Sequence, residues 1–179
     1  MATRLFSDLV NRIAPSVPGC PQPVIIAAIR DAAIDACERT LAWGYEQADI
    51  STVAGTYEYS YTPDTDSEVV QIRTSTSDAA NVKVITLDDA TRRFPGYPSS
   101  DTSLRSTVQF ITEVSPQTFY TVPVPLDVYT IKMFLALKPA RGVTGMDEAV
   151  MDDLETVIMH NALQHLLVLP ETTWSDREL

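Results

Sequence analysis

The hydrophobic period of this chain changes twice. Apolar residues recur every three or four positions near both ends, but every second position between residues 50 and 138. The first spacing marks one face of a helix and the second one face of a strand, so this order of periods places a β region between two helical ones. The clearest strand is Tyr129, Ile131, Met133, Leu135 and Leu137, opposite a mixed row of Thr130, Lys132 and Ala136. Tyr57, Tyr59 and Tyr61 alternate with Glu58 and Ser60, and Val108 and Phe110 with Thr107 and Gln109. Further short strands fit residues 68–74, 82–87 and 119–124. No helical period separates them, which predicts an antiparallel sheet or small sandwich rather than βαβ winding.

On the N-terminal side, Leu5, Phe6, Leu9, Val10 and Ile13 predict a short helix over residues 3–13. Residues 14–23 hold Pro15, Pro18, Pro21 and Pro23, so that stretch crosses as an extended or turning segment. A second helix is expected from about Pro23 to Trp43, with Gly44 as its terminator. Ile25, Ile29, Ala33, Ala36, Cys37 and Thr40 project to one side of it. Asp31, Asp35 and Glu38 project to the other, a stripe of like charges about 6 Å apart that Arg39 partly offsets at i+4 from Asp35. A last helix starts near Met146, with Asp147, Glu148, Asp152 and Asp153 suited to its N-terminus. Val150, Leu154, Val157, Ile158, Ala162, His165, Leu166 and Leu169 continue its stripe until Pro170.

The expected fold is therefore α+β: N-terminal helices and a long C-terminal helix form a helical bundle from residues 1–48 and 143–169. An antiparallel β-domain of about five to six strands is inserted at residues 49–142. Residues 88–103 make a long loop within it, suited to binding, and residues 170–179 an extended arm around Trp174.

The formal charge of −11 argues against a protein that coats duplex DNA or anionic lipid. The longest apolar run, residues 24–29, is too short for a membrane span, so no membrane contact is expected. Cys20 and Cys37 make no disulfide framework and fit structural thiols. No nucleophile elbow, phosphate loop or dinucleotide fingerprint occurs, so neither an enzyme nor a cofactor is expected. Asp64, Asp66 and Glu68 open like a calcium loop, but Val69 and Ser75 stand where glycine and glutamate are needed. His160 and His165 lie about 140° apart on a helix and cannot face one metal together; they read as a surface His160 and a packing His165. Arg92, Arg93 and Arg105 are offset by Asp88, Asp89 and Asp101 and form no basic patch.

Several segments in order carry a resemblance. They are Pro18-Gly19-Cys20-Pro21, then Arg30-Asp31-Ala32-Ala33 and Cys37-Glu38-Arg39-Thr40, then the entry at residues 123–125 into a strand ending at Lys138-Pro139. Ala162-Leu163, Leu166-Leu167, Pro170 and Trp174-Ser175-Asp176 close the series. Together they resemble the head-to-tail adaptor, or connector, proteins of tailed bacteriophages. The resemblance implies a structural protein of the virion neck, made in the bacterial host cytoplasm. It would form a homo-oligomeric ring, typically of about twelve copies, between the portal protein and a downstream tail or nozzle protein. Double-stranded DNA would pass through it without specific binding. Within that frame Asp31, Asp35 and Glu38 are candidates for the lumen wall. Trp174, Ser175, Asp176, Arg177 and Leu179 are candidates for an arm to the portal or a neighbouring subunit, and Arg92, Arg93, Phe94 and Tyr97 for a tail-side contact. Two other readings are a tail terminator or tube-completion protein, and a cytosolic ligand-binding or hydrolytic α+β domain using the tyrosine face.

Overall fold

A computed structural model describes residues 2–78, 80–98, 104–115, 117–169 and 174. In chain order its elements are β1 (Thr3–Leu5), α1 (Val10–Ile13), α2 (Gln22–Thr40), β2 (Trp43–Ser51), β3 (Glu58–Ser60), β4 (Ser67–Ser77) and β5 (Ala80–Val84). Then come α3 (Leu87–Arg93), β6 (Phe110–Ser115), β7 (Thr118–Val122), β8 (Thr130–Pro139), β9 (Gly145–Asp147) and α4 (Glu148–Leu167), with 3-10 turns on both sides of α1. The chain divides into two compact units, Met1–Trp43 with Thr65–Glu68 and Leu137–Leu179, and Gly44–Asp64 with Val69–Ala136.

In the first unit α2 begins where two prolines permit it. Pro21 is extended (φ −61°, ψ 135°) at the cap position and Pro23 lies in the first turn, where its missing N–H has no partner to lose. Ile25, Ile29, Ala32, Ala33, Ala36 and Cys37 are buried, which matches the expected face except that Ala32 joins it and Thr40 does not. Thr40 is exposed and returns its hydroxyl to the Ala36 carbonyl at 2.8 Å. The helix ends at Leu41, a left-handed residue (φ 54°), rather than at Gly44. Helix α4, capped by the Asp147 carboxylate on the Val150 N–H at 3.2 Å, lies along α2 and buries Met151, Leu154, Ile158, Ala162 and Leu166. His165 is exposed, against the expectation that it packs. The helical part is thus one long pair, with α1 and the turn before it supplying Ile13, Phe6 and Leu9 to its core, rather than a bundle of long helices.

The first residues do not start as a helix. β1 pairs antiparallel with β9, Thr3 opposite Asp147 and Leu5 opposite Gly145. The Phe6 N–H reaches the Thr144 carbonyl and the Glu148 N–H the Ala2 carbonyl, both at 2.9 Å. Gly145 allows this closeness, because a Cβ there would strike the Arg4 carbonyl oxygen. The Arg4 guanidinium extends to Glu155 at 2.8 Å and to Asp152, and Arg12 joins the same Glu155.

Most of the main sheet belongs to the second unit. Its order is β2-β8-β4-β5-β6-β7-β3, seven strands where five to six were expected. β4 with β5, β6 with β7, and β7 with β3 are antiparallel, but β5 and β6 are parallel, so the sheet is mixed. A parallel pair needs a crossover, and α3 supplies it from the stretch read as loop. Seven residues are too short to display a helical period, which is why the pattern concealed it. Ile131, Met133, Leu135 and Leu137 are buried as the alternation predicts, while their neighbours Lys132 and Phe134 are exposed. Gly44, on β2, lies beneath the Phe134 ring; a Cβ would come within 2.7 Å of Phe134 Cε1. The Arg73 guanidinium sits 5.6 Å from the centre of the same ring. Tyr61 and Tyr59 stack on buried Phe119, with centroids 5.9 and 5.7 Å away.

Candidate functional site

The three carboxylates of the α2 stripe face solvent, but each has a partner. Asp31 lies 3.6 Å from Arg30 Nε. Asp35 accepts from Arg39 Nε at 2.8 Å and from the Asn161 amide of α4 at 3.4 Å. Glu38 accepts from Lys138 Nζ at 2.6 Å, and that ammonium also stands 3.7 Å from Glu68. Side-chain exposures of 63%, 34% and 45% along the stripe show that Asp35 is drawn furthest into the fold. Sequence projection found the acids and the Arg39 pairing; it missed Lys138, Glu68 and Asn161, which only the tertiary fold brings to them.

Helix α3 orders the first part of residues 88–103. Thr86 Oγ1 accepts from the Asp89 N–H at 3.2 Å, Asp88 and Asp89 occupy the first turn, and Arg92 and Arg93 the last. Arg92 is paired with Asp88 one turn earlier. Arg93 reaches over the Phe110 ring at 5.2 Å, and Phe94 meets the same ring at 6.1 Å. Tyr97 is buried; its hydroxyl donates to the Thr121 carbonyl at 2.9 Å and its ring stands edge-on to Tyr57. Burial pushes the pKa of that hydroxyl well above the ordinary tyrosine range, and the nearby Tyr57 and Tyr120 hydroxyls add to the effect. Of the four residues singled out in this stretch, Phe94 and Tyr97 join an apolar cluster with Ala90, Val122 and Val124, while Arg92 and Arg93 remain exposed. A hollow of about 140 Å3 opens beside them, walled by Phe94, Tyr97, Pro123 and Val124 and by the exposed Arg93, Pro95 and Leu104.

Trp174 is half-buried, and its indole N–H is shielded with no acceptor among the described residues. Ser175, Asp176, Arg177 and Leu179 lie outside the described residues, as do residues 99–103.

Cys37 is buried, and its thiol is pushed up to about 12, first by burial and then by the Glu38 charge. A thiol so raised is a packing group rather than a nucleophile. Asp66 is a left-handed turn residue (φ 64°) whose carbonyl accepts the Ala140 N–H at 3.1 Å. Among the described residues no three or more His, Cys, Asp or Glu side chains are arranged to hold a metal ion. No helix among them is long and apolar enough to cross a membrane.

Apart from the Trp174 indole donor, the polar and aromatic groups described above engage in caps, ion pairs and ring contacts. The family model described as SU10 adaptor protein matches residues 4–171, and the chain belongs to that family of phage adaptors. No curated protein matches the chain.

Proposed function

We propose that copies of this chain close into a ring of about twelve that joins a phage portal to the tail or nozzle, with the genome passing through its lumen. Family membership over residues 4–171 supports the adaptor role. The observation that carries the DNA part is the charge arrangement on α2. Arg30, Arg39 and Lys138 beside the stripe each stand against a carboxylate, in a chain of formal charge −11. Every cation that pairs with phosphate releases counterions and holds DNA more tightly. A wall whose cations are already matched offers the moving duplex little to bind. In this reading Asp31, Asp35 and Glu38 belong to the lumen. Trp174, Ser175, Asp176, Arg177 and Leu179 form an arm to the portal or the adjacent subunit, and Arg92, Arg93, Phe94 and Tyr97 mark the segment facing the tail-side protein.

The test mixes purified protein with portal-bearing heads and images the vertex. A ring seated on the portal is expected. Attachment to tail tubes alone would establish the terminator reading instead, and attachment to neither would end both. Within assembled particles, replacing Asp31, Asp35 and Glu38 together by Asn leaves the ring in place and alters DNA retention or ejection; unchanged ejection kinetics would remove the stripe from the lumen.

A further inference from the structure

The hollow beside α3 has room for a single large apolar side chain and is formed before any partner arrives. Tyr97 is fixed by its bond to Thr121, Phe94 packs on Phe110, and Val124 is 3% exposed. A preformed apolar pocket of this kind is where one anchoring side chain contributes most to association. The adjoining residues 99–103 read Ser, Ser, Asp, Thr, Ser, so the neighbouring stretch has no apolar side chain to fill it. The exposed Arg93 guanidinium lends positive charge to its edge.

The sequence holds a matching insert. Trp174 is the sole aromatic residue in residues 168–179, and Glu171 and Asp176 flank it. Its indole donor is shielded and has no acceptor among the described residues. We infer that Trp174 of one copy seats in the hollow beside α3 of a second copy, with the flanking carboxylates against Arg93. Knob and hollow are different surfaces of the chain, so the contact is heterologous, the type that closes rings. Its biological setting rests on the ring reading above, whereas its measurement needs no portal.

The host for the test is the full chain carrying Trp174→Ala, so that its own Trp174 cannot compete, and the probe is a dye-labelled peptide of residues 170–179 followed by fluorescence anisotropy. Saturable binding is expected, weakened about tenfold or more when the peptide carries Trp174→Ala or when the host also carries Leu104→Glu at the exposed edge. Arg93→Glu in the host weakens binding several-fold, and a peptide with Glu171→Arg and Asp176→Arg regains it. No saturable binding up to about 1 mM would overturn the inference. Equal binding of the tryptophan-free peptide, or indifference to both host substitutions, would overturn it as well. If the peptide binds this hollow while portals recruit no ring, the ring reading fails and the pocket stands; the reverse pair of results rejects the pocket alone.

Discussion

Tyr97→Phe removes one oxygen and leaves the ring. That oxygen donates to the Thr121 carbonyl at 2.9 Å, and both residues are buried. A hydrogen bond of this kind is worth about 0.5–1.5 kcal/mol net, and stripping a buried acceptor of its donor adds a desolvation penalty, so the loss should be about 1–2 kcal/mol. With a urea dependence of about 2 kcal/mol per molar, the unfolding midpoint falls by roughly 0.5–1 M. The natural control is Tyr129→Phe, whose hydroxyl stands 3.5 Å from Thr107 Oγ1 in an exposed pair. That bond is long, and its loss should move the midpoint by less than about 0.3 M. Equilibrium urea unfolding followed by near-ultraviolet circular dichroism reads both variants. If Tyr97→Phe unfolds with wild-type protein, or if Tyr129→Phe proves the costlier change, Tyr97 does not anchor the turn after α3.

Two further outcomes follow from the same reasoning. Glu155→Gln removes the carboxylate that Arg4 and Arg12 share, with the Arg4 and Glu155 side chains only 19% and 18% exposed; hydrogen exchange at the Phe6 amide should quicken about fivefold, for a loss of about 1 kcal/mol, and unchanged exchange would show that the backbone pairing holds β1 unaided. At high pH the buried Cys37 thiol and Tyr61 hydroxyl both favour their neutral forms, raised to about 12 from 9.0 and 10.0 by burial first and then by the Glu38 and Glu113 charges respectively. Because the folded values lie above the unfolded ones, their contribution is complete below pH 9 and is lost as pH rises towards 12, by up to about 1.4 kcal/mol per pH unit for each group. Cys37→Ala should flatten the decline between pH 9 and 10 in urea midpoints; a wild-type midpoint constant from pH 8 to 11 would contradict the burial of both groups.

What the sequence revealed and concealed divides by the range of the interactions. β8 was legible because Ile131, Met133, Leu135 and Leu137 obey the pleat and all four are buried. The buried side of α2 was legible for the same local reason. β1 was not, since Leu5, Phe6 and Leu9 satisfy helical spacing while the partner of Thr3–Leu5 lies in β9, far along the chain. Gly44 looked like a helix terminator, but its bareness serves the Phe134 ring, and Leu41 takes the left-handed turn instead. β2 was missed because only Trp43 and Gln47 of its nine residues are buried, too sparse an alternation to read. α3 carried a readable start, Thr86 with Asp89 three residues later, yet no period to confirm it. At the candidate sites, the α2 acids and the Arg92 and Arg93 pair could be found by inspection. The matching of the acids by Lys138 and Asn161, and the hollow beside Tyr97, depend on contacts between distant segments, for which no local pattern exists.

The clasp between β1 and β9 sets an order on synthesis. Arg4 and Asp152 stand 148 positions apart, and Ala2 bonds Glu148. While the chain leaves the ribosome, the apolar side of α2, with Ile25, Ile29 and Cys37, must therefore wait for α4 to emerge, a delay typical of distant pairings. Premature termination anywhere before residue 147 leaves Thr3 without its mate, so closing of the helical unit certifies that the intervening β region has been made in full.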